Sequence, residues 1–513
     1  MLFNSYPFIF GYLPVTLAGY LLLVRRAPGA TVIWLGAASV VFYAGWNLSY
    51  VPLLLASVAF NYVFSQLITA QMKRRSSARS VLALAIVLNL GVLGYYKYAN
   101  FFVDAVEEAT GLPFSIGHVI LPLGISFFTF TQIAFLVDLS RGHKSDLTFP
   151  KYLLFVTFFP HLIAGPILHH ASIMPQFKWR KVHVREDLEV GLSIFVIGLC
   201  KKVIFADTLA KYGGPVFVAA AQGQQLGLIE SWAGVLAYSL QLYFDFSGYS
   251  DMAIGLARMC GVRFPLNFAS PYKAQNIIEF WRRWHMTLSS FLRDYLYIPL
   301  GGNRYGALRR YLNLMITMCL GGLWHGAAWT FVLWGALHGI FLVLNHTWQA
   351  RGRSYRFPER VGRTGRAASI FVTYLAVTVA WVFFRSATIP SALSILRAMA
   401  GWNGIFLPQP WQGRFASWGI DLTPYVTFVN MDATFSGMRQ VVLTIIFLGI
   451  VWFLPNTQEI MAAYKPALTV HMRNPPTWWQ WRPTPVWAFL LALLTVIPML
   501  WLNQATEFLY YQF

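Results

Sequence analysis

Thirteen apolar runs, most close to twenty residues long, constrain this chain more than any motif in it. They fall near residues 8–24, 31–45, 48–70, 80–99, 119–139, 149–168, 188–206, 229–257, 311–324, 327–346, 367–384, 438–455 and 485–503. About twenty apolar residues make a helix long enough to cross the hydrocarbon core of a bilayer. In that medium each backbone N–H and C=O must be paired within its own segment or in a closed barrel, and the two-residue alternation of barrel strands is missing here. With 57% of residues hydrophobic and 11% charged, and a mean hydropathy of +0.53, the composition argues against a water-soluble globule. The expected fold class is an all-α polytopic membrane protein with about 11–13 transmembrane helices plus re-entrant and interfacial helices.

Lys and Arg number 39 against 19 Asp and Glu, a net charge of +20. In a polytopic protein such an excess marks cytoplasmic loops rather than nucleic-acid binding. Arg25-Arg26, the cluster Lys73, Arg74, Arg75 and Arg79, Arg141 with Lys144, Lys178 to Arg185, Arg282 to Arg310, Arg351 to Arg366 and Arg473 with Arg482 therefore read as cytoplasmic. The acidic loop of Asp104, Glu107 and Glu108 reads as external, and the amino terminus then faces outward. Strict alternation fails at run 149–168, because a full crossing there would put the basic 178–185 segment outside. That run ends in His161-Leu-Ile-Ala-Gly165-Pro166 and reads as re-entrant or broken, which a membrane tolerates where freed backbone groups are buried in protein or face a wet cavity. Run 311–324, about 21 Å long as a helix, is expected to stop in the middle or outer half of the bilayer, with His325 in the turn that follows.

No linker or sizeable polar domain interrupts the chain, so residues 1–513 read as one integral-membrane domain. The stretch 386–437, with Trp402, Phe406, Trp411, Phe415 and Trp418, reads as an outer interfacial region, since indoles favour the headgroup level. No cleavable signal peptide is evident, and the first run is taken as a retained helix. Cys200, Cys260 and Cys319 stand singly in or beside apolar runs, so neither a disulfide framework nor a metal site is expected.

Two segments concentrate chemistry. In Phe280-Trp-Arg-Arg-Trp-His285-Met-Thr-Leu-Ser-Ser-Phe-Leu292, a continuous helical wheel places Trp281, Trp284, His285, Leu288 and Leu292 on one face and Arg282, Met286 and Arg293 on another. His285 then points into an apolar surface, either as a core histidine bonded to a backbone carbonyl or as a functional group, and the arginines read as headgroup anchors or ligands. In Cys319-Leu-Gly-Gly-Leu-Trp324-His325-Gly-Ala-Ala, an imidazole lies beside glycines at membrane depth. An ionisable side chain there is costly and by default functional, and a neutral imidazole serves as a general base near neutral pH. His338, further along the next run, reads as structural. Asp245 and Asp251 lie 240° apart on a helix, which disfavours a carboxylate pair and favours partners among buried Lys or Arg. No GxSxG elbow, P-loop or HExxH motif competes.

These segments resemble the membrane-bound O-acyltransferase family, and within it the alginate O-acetyltransferase-like branch. The resemblance rests on Leu121-Pro-Leu-Gly-Ile-Ser-Phe-Phe-Thr-Phe, Phe159-Pro-His-Leu-Ile-Ala-Gly-Pro-Ile, Tyr243-Phe-Asp-Phe-Ser-Gly-Tyr-Ser-Asp, the Phe280 segment, Tyr295-Leu-Tyr-Ile-Pro-Leu-Gly-Gly-Asn-Arg and Gly322-Leu-Trp-His-Gly-Ala. It is dense over 120–340, within an expected catalytic core of 120–346, and weaker at Leu454-Pro-Asn-Thr-Gln-Glu-Ile-Met461. It implies a ring of helices around a central catalytic tunnel, with His325 as the central catalytic histidine and His285 in the second catalytic position. Trp281, Arg282, Trp284, Trp324, Asp245 and His161 are the candidates for the donor and substrate tunnel.

The activity implied is O-acyl transfer, with acetyl-CoA or a related cytoplasmic donor as substrate and no bound cofactor. An exopolysaccharide such as alginate would be the acceptor, and extracytoplasmic acetyltransferases of the serine-hydrolase-like type would finish the transfer. The expected location is a bacterial inner membrane, multi-pass, with the lipid bilayer as surroundings and no nucleic acid as partner. Two alternatives stay open: D-alanyl transfer to teichoic acid, whose proteins are typically shorter than this chain with its 386–513 extension, and a polymer or small-solute transporter, which the lack of an internal repeat weakens.

Overall fold

The computed structural model describes the chain except residues 113–116, 118, 144–145, 180–182, 351–356, 432, 469–475, 503–508 and 510–513, and of 357–361 only the backbone. Lys144, Arg180, Lys181, Arg351, Arg353, Arg356 and Arg473 of the expected cytoplasmic loops lie outside the described residues. Each apolar run contains a helix. Helices that begin with a proline in the first turn include those at Pro7, Pro28, Pro52, Pro150, Pro390 and Pro485. There the missing N–H has no intrahelical partner to lose and the fixed φ suits the helix start.

Among the described residues, four helices are by length and apolarity sufficient to cross a membrane: Leu48–Lys73, Arg79–Thr110, Trp329–Ala350 and Gly362–Arg385. Shorter apolar helices include Pro7–Leu23, Pro28–Ala44, Ile125–Ser140, Met438–Phe453 and Pro485–Trp501. Run 149–168 does break: its helix stops at Thr157 after nine residues, about 14 Å, and the chain through Gly165 and Pro166 is irregular. Run 311–324 is corrected. Its helix extends over Gly306–His325, 20 residues, because Leu308, Arg309 and Arg310 are good helix formers and the exposed Arg309 keeps its charge in solvent. His325 is accordingly the last residue of the helix and not part of the turn after it.

Packing divides the chain into two compact units. The first comprises Met1–Cys200, Gly248–Asn267 and Thr457–Gln504; the second comprises Lys201–Ser247, Phe268–Asn456 and Ala505–Phe513. In the first, buried polar groups meet in pairs. Asn61 and Asn89 exchange amide hydrogen bonds of 2.9 and 2.8 Å. Arg258 lies 2.9 Å from both Glu186 and Asp187, and Asp251 accepts from Thr457 and Gln458 at 2.6 and 3.0 Å.

The second unit is built on an aromatic core that includes Tyr243, Phe280, Trp284, Trp334 and Trp381. Its central hairpin pairs Gly306–His325 with Trp329–Ala350. A Cβ on Gly322 would collide with the Phe331 carbonyl, and one on Gly335 with that of Met318, so these two glycines are what let the helices meet backbone to backbone. The region 386–437 holds the capped helix Ile389–Met399, a second helix Gln409–Ser417, and two three-residue strands, Phe406–Pro408 and Thr427–Val429, paired in parallel. The paired strands are an addition to the outer interfacial region that the sequence implies. Trp402, Trp418 and Tyr425 are exposed there.

Candidate active site

The His285 segment is held from both sides. Asn276 caps the helix Ile277–Trp281 by accepting from the Glu279 N–H at 2.9 Å. Glu279 pairs with Arg283 at 2.6 Å, and the Ala269 N–H donates to the Arg283 carbonyl at 3.0 Å. The chain then turns at His285, whose φ of 43° and ψ of 53° are left-handed, and a new helix, Met286–Leu292, begins. A left-handed conformation is uncommon for a residue with a Cβ and is retained where the surroundings enforce it, often at a functional site. The single helical wheel over 280–292 is therefore corrected, because the reversal at His285 separates two short helices. The burial it implied nevertheless holds: Trp281, Trp284, His285, Leu288 and Leu292 are buried and Arg282 is exposed.

His325 reaches the same place from the end of its long helix, and Gly326 lies so close to the Phe331 ring that a Cβ there would overlap it. The two imidazoles have ring centroids 6.4 Å apart. His285 is 0% and His325 6% exposed. Aromatic rings wall both: Phe246 lies 4.7 Å from His285, while Trp324, Trp334 and Phe384 lie 4.9, 5.1 and 5.2 Å from His325. A neutral imidazole offers one N–H donor and one acceptor nitrogen. Two of them in a buried aromatic enclosure combine a base for a hydroxyl proton with a donor for a carbonyl oxygen.

The structure distributes the other candidates unevenly. Trp324 touches both histidines, at 6.2 Å from His285 and 4.9 Å from His325. Trp284 stacks on Phe280 and lies 5.0 Å from Trp381. Trp281 lies 5.9 Å from Trp334 and 5.2 Å from His338. Asp245 is buried and paired with Lys202 at 2.7 Å, whose ammonium also meets Asp207 at 2.8 Å. His161 belongs to the first unit, where its Nε2 hydrogen-bonds the Phe155 carbonyl at 2.9 Å, satisfying an acceptor left over at a helix end. Among the described residues no group of three or more His, Cys, Asp or Glu side chains is gathered as a metal would require.

Sequence reading expected a buried Lys or Arg against Asp245 without naming Lys202, which fills that place, and it missed the wall formed by Phe246, Trp334 and Phe384. For Lys202 a signal was present, since a lysine inside an apolar run implies a buried partner. For the aromatics there was none, because each comes from a different helix.

A model of the membrane-bound O-acyltransferase family, MBOAT, matches residues 93–384. A peptidoglycan O-acetyltransferase of Helicobacter pylori is 43% identical over 436 residues, covering 79% of this chain and 81% of that protein. A probable alginate O-acetylase, AlgI, of Azotobacter vinelandii is 44% identical over 404 residues, 78% of each chain. A teichoic acid D-alanyltransferase of Streptococcus thermophilus is 28% identical over 282 residues, 51% of this chain and 68% of that one. The matched span contains both histidine segments and the aromatic wall around them, and this protein belongs to the membrane-bound O-acyltransferase family and is a multi-pass membrane O-acyltransferase.

Proposed function

We propose that the protein takes an acetyl group from a cytoplasmic thioester, acetyl-CoA or a related donor, and delivers it across a bacterial inner membrane for O-acetylation of an exopolysaccharide such as alginate. The observation that carries this reading is the buried pair His285 and His325 with rings 6.4 Å apart, close enough for both to reach one reacting group. His325 takes the proton of the acceptor hydroxyl as its oxygen bonds to the acetyl carbon. The carbon–sulfur bond then breaks, and the departing sulfur receives that proton, so an ester and a free thiol replace a thioester and an alcohol. His285 donates to the carbonyl oxygen as negative charge develops on it.

The polymer class is supported by the names of the relatives above 40% identity, which act on alginate or peptidoglycan and share acetyl transfer. D-alanyl transfer remains the second reading, favoured only by relatives at 28% identity over about half of this chain. A folded polymer is too bulky for a site this enclosed, so the acceptor at the outer mouth is a small group or a side chain of a serine-hydrolase-like partner, which then modifies the polymer. The exposed aromatics of 386–437 are the docking surface in this scheme, since aromatic side chains with few charges suit an interface. The test is radiolabelled acetyl transfer in membranes carrying wild-type or His325→Ala protein. Label should reach the polymer only with the wild type and only when the partner is present. Efficient polymer acetylation by the purified protein alone in liposomes would remove the partner from the scheme, and label from D-alanine in place of acetate would select the second reading.

A further inference from the structure

His338 is the most deeply enclosed titratable group beside the site that this chemistry leaves unused. It is 0% exposed and lies on Trp329–Ala350, with Trp334 at 4.8 Å, Trp281 at 5.2 Å, Phe280 at 6.0 Å and Trp381 at 6.1 Å. Among the described residues, none hydrogen-bonds to either of its ring nitrogens, nor to the indole N–H of Trp281 or Trp334. Buried polar atoms are nearly always paired, and leaving one unpaired costs about 1–3 kcal/mol. Four such nitrogens on three touching side chains are therefore costly in an otherwise aromatic core, where a phenylalanine would pack without that cost. Trp334 is also the ring between the two histidines, 5.1 Å from His325 on one side and 4.8 Å from His338 on the other.

We propose that His338, Trp281 and Trp334 form a binding site for a secondary amide in the arm of the acyl donor, with His338 supplying its donor–acceptor pair. The proposal rests on the thioester reading above. Indoles only donate, whereas a neutral imidazole donates at one nitrogen and accepts at the other. The complementary group must accept in more than one direction and donate in one. A secondary amide does this with its carbonyl oxygen and its N–H. Position favours the donor over the acceptor. Trp329–Ala350 runs from the turn after His325 back to the basic loop read as cytoplasmic, and His338 lies nine residues along it, about 14 Å from the His325 end.

The test compares two acetyl thioesters in inverted membrane vesicles, one on N-acetylcysteamine, which carries an amide, and one on propanethiol, which does not. Thiol release is followed for wild type, His338→Phe, His338→Asn and Trp334→Phe. His338→Phe keeps the aromatic volume and removes both nitrogens, so its melting temperature should hold or rise. Its KM for the amide-bearing donor should increase about ten-fold, the equivalent of one hydrogen-bonding group, with kcat and the propanethiol donor little changed. His338→Asn, which keeps a donor and an acceptor, should recover part of that loss, and Trp334→Phe should show a smaller increase. An amide-bearing donor used equally well by His338→Phe and wild type overturns the site. Equal losses on both donors also overturn it, since His338 would then serve packing or the chemical step. Wild-type vesicles that use neither thioester would instead remove the donor reading on which the site rests, a result told apart by the activity of the wild type itself.

Discussion

His161 and His338 are both buried histidines among aromatic rings, yet they differ in what their nitrogens meet. In the first unit, His161 closes an open helix end by bonding the Phe155 carbonyl. In the second, His338 meets rings and no hydrogen-bonding partner among the described residues. A paired buried polar group is explained by the fold; an unpaired one calls for a ligand, a water or a chemical role. Lys202 is likewise paired, enclosed by Asp207 and Asp245, whereas His285 and His325 meet in an aromatic enclosure at the site of the proposed chemistry. Substitutions on the two sides should therefore fail in different ways.

The largest effect is expected at His325. His325→Ala should abolish acetyl transfer, below detection in a radiolabel assay, while protein level and membrane insertion stay normal; persistent transfer would remove it from the chemistry. His285→Ala should follow, with a loss of about 10²-fold or more in kcat, the usual scale for acid–base or carbonyl-polarising groups. His285→Gln separates the roles: activity near wild type would make this residue a hydrogen-bonding member of the core.

On the satisfied side the loss should be of stability and not of activity per folded molecule. Lys202→Met leaves two buried carboxylates facing each other and should cost about 3–5 kcal/mol, visible as lower yield and melting temperature. His161→Leu orphans one carbonyl and should cost about 1–3 kcal/mol. If it instead lowers kcat in protein of normal stability, the contrast between the two histidines collapses. Trp402→Ala, on the exposed region 386–437, should change stability by no more than about 0.5 kcal/mol. It bears on the partner scheme, because reduced transfer to polymer with normal thiol release would assign that face to docking.

Much was legible in the residues themselves. Runs of about twenty apolar residues force helices because lipid offers the backbone no partners, and Gly165-Pro166 announced the break in run 149–168. The glycines beside His325 are where the chain packs tightly, Gly322 against the Phe331 carbonyl and Gly326 against the Phe331 ring. The His285 segment was legible in burial but not in conformation. A wheel assumes unbroken helix, and nothing local in Trp284-His285-Met286 signals a left-handed residue. That geometry is imposed by the Asn276 cap, the Glu279–Arg283 pair and the Ala269–Arg283 hydrogen bond.

The sequence by itself determined the helical membrane class, the positions of the runs and the two segments that carry histidines, since these follow from local hydropathy and the cost of burying ionisable groups. Only the tertiary structure decided that His285 and His325 face each other, that Lys202 holds Asp245, that His161 caps a helix, and that His338 is enclosed without a partner. Each is a contact between residues far apart in the chain or across a turn, fixed by packing and not by any local periodicity.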